Sequence, residues 1–499
     1  MRKEKLLYLA AICFVVIGAG VLRLTGINFG LPRHLHPDEW SQVETAAKLS
    51  LADLNPHWFR YPSFMIYLLF LIYKAINFIS SSFGIIINQG GYYLIGRIVS
   101  CLFGMGTIYF VYKLSKLIDG ELSAFISVFF ISFFSLHIIN CHYATTDITL
   151  TFWITVVIYF IIAYFQTKRD YLYVAVLIGV AASTKYPGIL ATIPLLLTFA
   201  FNEETHNRQG TSAQKKALKF ILLTVGLITL ILFFIFPVEI FMRYATTLTT
   251  DGILEKEYIL FILKIPLFFG FISIFSFLVF LMILKENKFA KLLINFLTDK
   301  KVILSILTST AIFFLISPFI VFDFKIFLKD FFYEFRHMQI GSAATVSLDS
   351  PLYIKALQYN KTQPWLGFSY AKLLAKNNGL FFIFLNIVGI TYLFLKNSKK
   401  TMVFICLPLV YFLIIANWRN YADRYFLPLV PFLCILAGSG ASGLLFLLHS
   451  QRRKKNIYSI CTSAVLLLFA VTFFAQVRNA IQTINAFLAK YHEINQPCL

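Results

Sequence analysis

Asp38 and Glu39 stand side by side in His36-Pro37-Asp38-Glu39-Trp40, just past the first apolar stretch of a 499-residue chain in which 13% of residues are charged. Carboxylates at the edge of a hydrocarbon layer are costly to hold, so they mark a function by default. A further acid, Asp147, closes His142-Tyr143-Ala144-Thr145-Thr146-Asp147. Three cations each begin or end an apolar element. Arg60 precedes Tyr61-Pro62, Lys185 lies in Ser183-Thr184-Lys185-Tyr186-Pro187-Gly188, and Arg424 lies in Asp423-Arg424-Tyr425-Phe426-Leu427-Pro428. Together these types suit one chemistry: a carboxylate takes the proton of an acceptor hydroxyl while cations stabilise a phosphate leaving group. Plainer uses stand beside it. Asp38 can cap a helix whose apolar side is Val43, Ala46, Ala47 and Leu49, and Asp147 can cap the segment starting at Ile148. Lys and Arg at span ends also snorkel. Lys185 fits that use least, because Pro187 and Gly188 break the helix beside it.

The elements that must position these residues are membrane spans. The chain is 59% hydrophobic and 17% aromatic, with 56 Phe, well above the apolar content of soluble domains. Its net charge of +21 gathers in short loops between apolar segments, which is the positive-inside pattern rather than a nucleic-acid surface. The seven Cys (13, 101, 141, 406, 434, 461 and 498) show no metal or disulfide spacing. Arg2, Lys3 and Lys5 precede an apolar run without a cleavage site, so the first segment reads as a retained span with a cytosolic N-terminus.

Fourteen apolar segments lie near 6–25, 62–82, 91–114, 121–139, 146–166, 171–184, 188–201, 217–237, 259–284, 301–322, 379–395, 401–416, 424–448 and 456–476. If all crossed, every basic loop from Lys113 onward would lie on the wrong side. Removing one crossing before residue 113 repairs them all. Segment 62–82, which starts at Tyr61-Pro62 and carries Lys74 in its middle, is the one expected to lie along the outer surface or to be re-entrant. The alternative is that it crosses and a later segment is re-entrant, which leaves at least one basic loop misplaced. Thirteen crossings remain, and His36–Asp147 chemistry and the three cations fall on one, outer, side. No GxxxxGK[ST] loop is present, and no GxGxxG follows a strand. An activated donor would have to travel in the membrane, as a polyprenyl phosphate does.

At these residues the chain resembles the GT-C glycosyltransferases of family 39 and the aminoarabinose-transferase type. Asp38-Glu39 matches the acid pair of that family's first outer loop, Glu44 its further acid on the same short helix, and Arg60-Tyr61-Pro62-Ser63 its Lys-Pro-Pro-Leu element. Asp147 matches the second-loop acid. Lys185-Tyr186-Pro187-Gly188 and Arg424-Tyr425-Phe426-Leu427-Pro428 match its late basic elements. The resemblance implies an all-α integral membrane protein, a bundle of about thirteen transmembrane helices with interfacial helices in the first outer loop, 26–90. It implies an inverting transferase of the cell membrane, working on the extracytoplasmic face on a polyprenyl-phosphate sugar and a lipid, glycan or protein acceptor. Asp38 would be the base, Glu39 would orient the acceptor or share that role, and Asp147 would shape the site. Glu44, Arg60, Lys185, Arg424, Tyr425 and His142 would contact substrate, the three cations holding phosphate. Some such enzymes use a divalent metal, for which Asp38, Asp147, His36 and His142 are the available ligands, but no metal set is assigned.

Three parts are expected: a catalytic module over 1–322, an outer loop over 323–378 that either covers the site or is plain surface, and C-terminal spans over 379–499. Phe-, Ile- and Lys-rich composition suggests a bacterium. Three other readings remain: a lipid-linked glycan ligase or polymerase, a transporter or flippase of lipid-linked sugars, and a non-catalytic assembly subunit. The acids favour an enzyme, since a transporter places ionisable groups at mid-depth in its spans.

Overall fold

A computed structural model describes residues 2–31, 36–201, 224, 227, 273–274, 276, 296–340, 365–418, 420–450 and 455–495. The described regular elements are all helical. The chain forms two compact units: Met1–Leu195 with Thr308–Phe327 and Gln363–Leu499, and Leu196–Leu307 with Leu328–Thr362. The first unit holds α1 (Arg2–Leu24), α2 (Pro37–Lys48), α3 (Phe64–Ser81), α4 (Gln89–Ile118), α5 (Glu121–Ser132), α6 (Ser135–Cys141), α7 (Thr146–Thr167) and α8 (Tyr171–Thr184). A 3₁₀ turn, Tyr186–Ala191, leads to α9 (Thr192–Ala200). Later come α10 (Lys300–Ile316), the single turn α11 (Phe319–Phe322), α12 (Phe324–Ile340), α13 (Leu366–Lys396), α14 (Ser398–Ala416), a 3₁₀ turn Asp423–Leu429, α15 (Val430–Ser450) and α16 (Lys455–Asn495). Of the second unit the described parts are mainly the ends of α9, α10 and α12.

Seven described helices are long and apolar enough to cross a membrane, and an eighth is formed if α5 and α6 count as one broken span. The chain is therefore an integral membrane protein. The segments expected at 217–237 and 259–284 lie outside the described residues, as do residues 341–364 of the expected cover loop.

Segment 121–139 is not one straight span: α5 and α6 meet at 60°. The break frees carbonyls that hydrocarbon cannot satisfy. Arg23 of α1, fully buried, satisfies them by donating to Ile131 O (3.1 Å) and Ser132 O (3.0 Å). Segment 62–82 forms an unbroken 18-residue helix, α3, whose length and apolarity alone are those of a span. Lys74, which motivated the surface-lying expectation, is exposed, with its ammonium 5.5 Å from the Phe70 ring. The contacts of α3 run antiparallel to the first half of α4: Phe64 lies 6.5 Å from Phe103, and the Tyr73 hydroxyl donates to Tyr92 O at 3.0 Å.

Helices α13 and α15 approach backbone to backbone. A methyl group at Gly389 would collide with Leu436 O, and one at Gly440 with Leu385 O. Small residues let helices pack where the surrounding lipid offers no hydrophobic drive. Beside them, Ser439 exchanges a 3.0 Å hydrogen bond with Ser123 of α5, which fixes rotation about the axis. Gly440→Leu is expected to separate α13 from α15 at a cost of about 1–3 kcal/mol or more, seen as a lowered midpoint of thermal unfolding in detergent, whereas Gly18→Leu, facing open space, leaves it unchanged.

Candidate active site

Helix α2 starts at Pro37, whose fixed φ suits the first helical position, with Asp38 and Glu39 in the first turn against the positive end of the helix dipole. The cap is His36, not Asp38: His36 Nδ1 accepts from the Asp38 N–H at 3.2 Å. Likewise the residue preceding α7 is Thr145, and Asp147 lies inside its first turn. Both aspartates are thus released from capping.

Adjacent residues on a helix point about 100° apart, and α2 uses this to send its two acids to different walls. Glu39 is fully buried and takes Arg97 of α4 bidentately, Nε to Oε1 at 2.8 Å and Nη2 to Oε2 at 2.9 Å. The Ala144 N–H also donates to Oε1, at 2.9 Å. Arg97 Nη1 reaches Ile27 O (3.0 Å) and Phe29 O (2.7 Å), and the guanidinium lies 4.3 Å from the Phe29 ring. Glu39 is therefore a fastener between α2, α4, the 25–31 turn and the loop before α7. The expectation that it orients an acceptor is corrected, because its oxygens are already engaged away from open space.

Asp38 turns the other way. Its Oδ2 lies 2.8 Å from Arg424 Nη2, each side chain about a quarter exposed. Lys185 Nζ donates to Asp147 Oδ1 at 2.6 Å, with both groups nearly buried. Arg424 Nε lies 3.9 Å from Asp147 Oδ2 and so joins the two pairs. The four charges form one neutral cluster drawn from α2, α7, the α8 break and the 3₁₀ turn Asp423–Leu429. Aromatic rings back the cations: Lys185 Nζ lies 4.9 Å from the Tyr61 ring and 5.6 Å from the buried Tyr425 ring, and Arg424 lies 5.3 Å from Tyr425. Cation–π attraction steadies an ammonium without neutralising it.

The break that carries Lys185 has a physical basis. Lys185 is extended (φ −156°, ψ 137°) after α8, and a side chain at Gly188 would overlap the Ala181 carbonyl. The Tyr186 hydroxyl donates to Phe59 O at 2.6 Å, which fixes the backbone just before half-buried Arg60 and Tyr61.

Two more expected contacts lie elsewhere. Glu44 accepts from Gln89 Nε2 (3.1 Å) and the Tyr93 hydroxyl (3.2 Å), bracing α2 on the start of α4. His142 is fully buried. Its nitrogens lie 2.9 Å from Ile138 O and Thr25 O, and its ring stacks on Phe487 at 4.4 Å. Neither residue faces the cluster. Among the described residues no three His, Cys, Asp or Glu side chains converge in a way that could hold a metal ion. At the head of the expected cover loop, Asp323 Oδ2 accepts from Asn55 Nδ2 at 3.1 Å and lies 3.1 Å from His57 Nδ1. Arg97, which sequence reasoning passed over, had a visible signal: a guanidinium inside the apolar run 91–114.

Residues 75–236 match the family described as dolichyl-phosphate-mannose-protein mannosyltransferase. That stretch contains Asp147 and Lys185 but neither Asp38 nor Arg424. No curated protein sequence matches the chain. Among solved structures, the chain is similar to the archaeal oligosaccharyltransferase AglB from Archaeoglobus fulgidus in complex with an inhibitory peptide and a dolichol-phosphate. The TM-score is 0.52 at 14% identity, covering 96% of this chain and 56% of that one. The same enzyme tethered with an acceptor peptide gives 0.52 at 15%, covering 96% and 55%. ArnT from Cupriavidus metallidurans in the apo state gives 0.46 at 12%, covering 99% and 77%. The chain thus spans about half the length of the AglB chains. At such identities the likeness to AglB establishes the fold, which is that of the GT-C glycosyltransferases.

Two predictions separate scaffold from chemistry. Glu39→Gln is expected to cost roughly 3–5 kcal/mol, because it strands a buried guanidinium, and the double change Glu39→Gln with Arg97→Met to recover part of it; unfolding in detergent reads both. Burial holds His36 below its ordinary value of 6.5, an effect Asp38 partly offsets and Arg424 reinforces. The unfolded chain therefore takes up that proton first, and the stability due to neutral His36 is lost as pH falls from about 6.5 towards its folded value. His36→Asn, which caps without titrating, is expected to show a smaller drop in unfolding temperature between pH 7.5 and 5.5 than the parent.

Proposed function

We propose that this protein transfers a sugar from a polyprenyl-phosphate donor to an acceptor hydroxyl on the extracytoplasmic face of a bacterial cell membrane, with inversion and with Asp38 as general base. The observation that carries the reading is the single cluster in which Arg424 joins Asp38 to Asp147 and Lys185. A phosphosugar must touch base and cations at once, and such a cluster allows it. The fold shared with AglB, whose complex holds a dolichol-phosphate, and the mannosyltransferase match support the same class of donor.

In this mechanism the donor phosphate draws Lys185 and Arg424 to itself and frees Asp38. The acceptor oxygen attacks the anomeric carbon, its proton passes to Asp38, and the carbon–oxygen bond to phosphate breaks. Polyprenyl phosphate leaves with the negative charge that the two cations receive. Asp38 is the base rather than Asp147 because it is the more exposed of the two, while Lys185 holds Asp147 Oδ1. Asp147 keeps Lys185 and Arg424 aimed at the phosphate, and Tyr425 stacks behind both.

The donor is first identified by mass spectrometry of lipids that co-purify with the protein. Conversion of that donor to polyprenyl phosphate, in the presence of membrane extract as acceptor source, then reads the variants. Asp38→Asn is expected to lower kcat about 10²–10⁴-fold with the fold intact, and Lys185→Ala to raise KM for the donor. Full turnover by folded Asp38→Asn protein would end the mechanism.

A further inference from the structure

Gln42 lies one turn beyond Asp38 on α2 and is 1% exposed, yet among the described residues neither its amide nitrogen nor its amide oxygen has a hydrogen-bond partner. Burying an amide in that state costs on the order of 1–3 kcal/mol, and a fold does not carry that cost without a compensating use. Thr145 and Thr146, at the start of α7, are also buried, and among the described residues their hydroxyls are unpartnered. Thr145 precedes the helix without capping it, although Thr is a favoured capping residue.

The helical wheel places Gln42 on α2. Taking Asp38 as zero, Gln42 lies at about 40°, Glu39 at about 100° and Val43 at about 140°. Asp38 reaches Arg424. Glu39 accepts the Ala144 N–H, and Val43 packs in the same cluster as Ala144. Gln42 lies between these directions on the wheel, between the side of α2 that reaches Arg424 and the side that reaches Ala144.

We propose that Gln42, with Thr145 and Thr146, is the subsite that reads the hydroxyl groups of the transferred sugar, and that this sugar is uncharged. The proposal rests on the transferase reading above. Its chemistry follows from the groups left open. A phosphate accepts only, so the Gln42 oxygen would be wasted against it, whereas a hydroxyl both donates and accepts. A cationic sugar needs a carboxylate to spare. Glu39 is spent on Arg97 and Glu44 faces α4, while in the mechanism above Asp38 takes the acceptor proton and Asp147 stays with the cations.

The test uses the full chain in lipid nanodiscs, titrated by native mass spectrometry with polyprenyl phosphate, polyprenyl-phosphate mannose and polyprenyl-phosphate glucose. The protein is expected to bind at least one sugar-bearing carrier about tenfold more tightly than the bare carrier. Gln42→Leu and Gln42→Ala are expected to lose that gap and keep the affinity for bare carrier, and Thr146→Val to narrow it. Lys185→Ala weakens all three ligands. The empty Gln42→Leu protein is expected to unfold at the same or a higher temperature than the parent, since it loses an unsatisfied buried amide. A gap preserved in Gln42→Leu, no gap with either sugar, or an empty Gln42→Leu protein that is clearly less stable would each overturn the subsite. Failure of the transferase reading looks different: bare polyprenyl phosphate does not bind, or binds regardless of Lys185, and the subsite falls with it.

Discussion

The pairing of Glu39 with Arg97 is the constraint on which the described site rests. Two charges removed from water cost several kcal/mol each, and they are tolerable only when every oxygen and nitrogen finds a partner. Here the partners come from four parts of the chain: α2, α4, the turn after α1 and the loop before α7. A shift of any one would strand a charge, so the rotation of α2 about its axis is fixed. With that rotation fixed, Asp38 has a single wall to face, and Arg424 stands on it.

The second level of order is electrostatic balance. Asp38, Asp147, Lys185 and Arg424 sum to zero, and only the Asp38–Arg424 side is appreciably open. A neutral cluster can be built at the end of a helical bundle without counter-ions, and the rings of Tyr61 and Tyr425 add attraction that does not consume charge. The same aromatic backing limits where the cations can swing when a ligand arrives.

Much of this was legible in the residues. Helical spans follow from apolar run length, and Pro187-Gly188 signalled the break that presents Lys185. That Asp38, Asp147, Lys185 and Arg424 share one end of the bundle followed from counting basic loops. Direction within an element was not legible. Asp38 and Glu39 look like a pair in sequence and are separated by the helical turn, so Glu39 became scaffold. His142 and Glu44 were drawn in by proximity along the chain, and their actual partners, Phe487 and Tyr93, are distant in sequence. The bend between α5 and α6 escaped notice because the side chain that satisfies its freed carbonyls, Arg23, lies about 110 residues away in sequence.

The mutual pairing of acids and cations has a consequence for what the site ignores. A bilayer presents phosphate headgroups in vast excess over any carrier lipid. Bare Lys and Arg side chains at its edge would be permanently occupied by ordinary phospholipid. Here an incoming anion must compete with Asp38 for Arg424 and with Asp147 for Lys185. A bulky phosphodiester with diffuse contacts recovers little of that cost, while a ligand that also meets buried polar groups beyond the cluster recovers more. On the proposed reading, the ion pairs would act as a threshold that ordinary phospholipid does not pass.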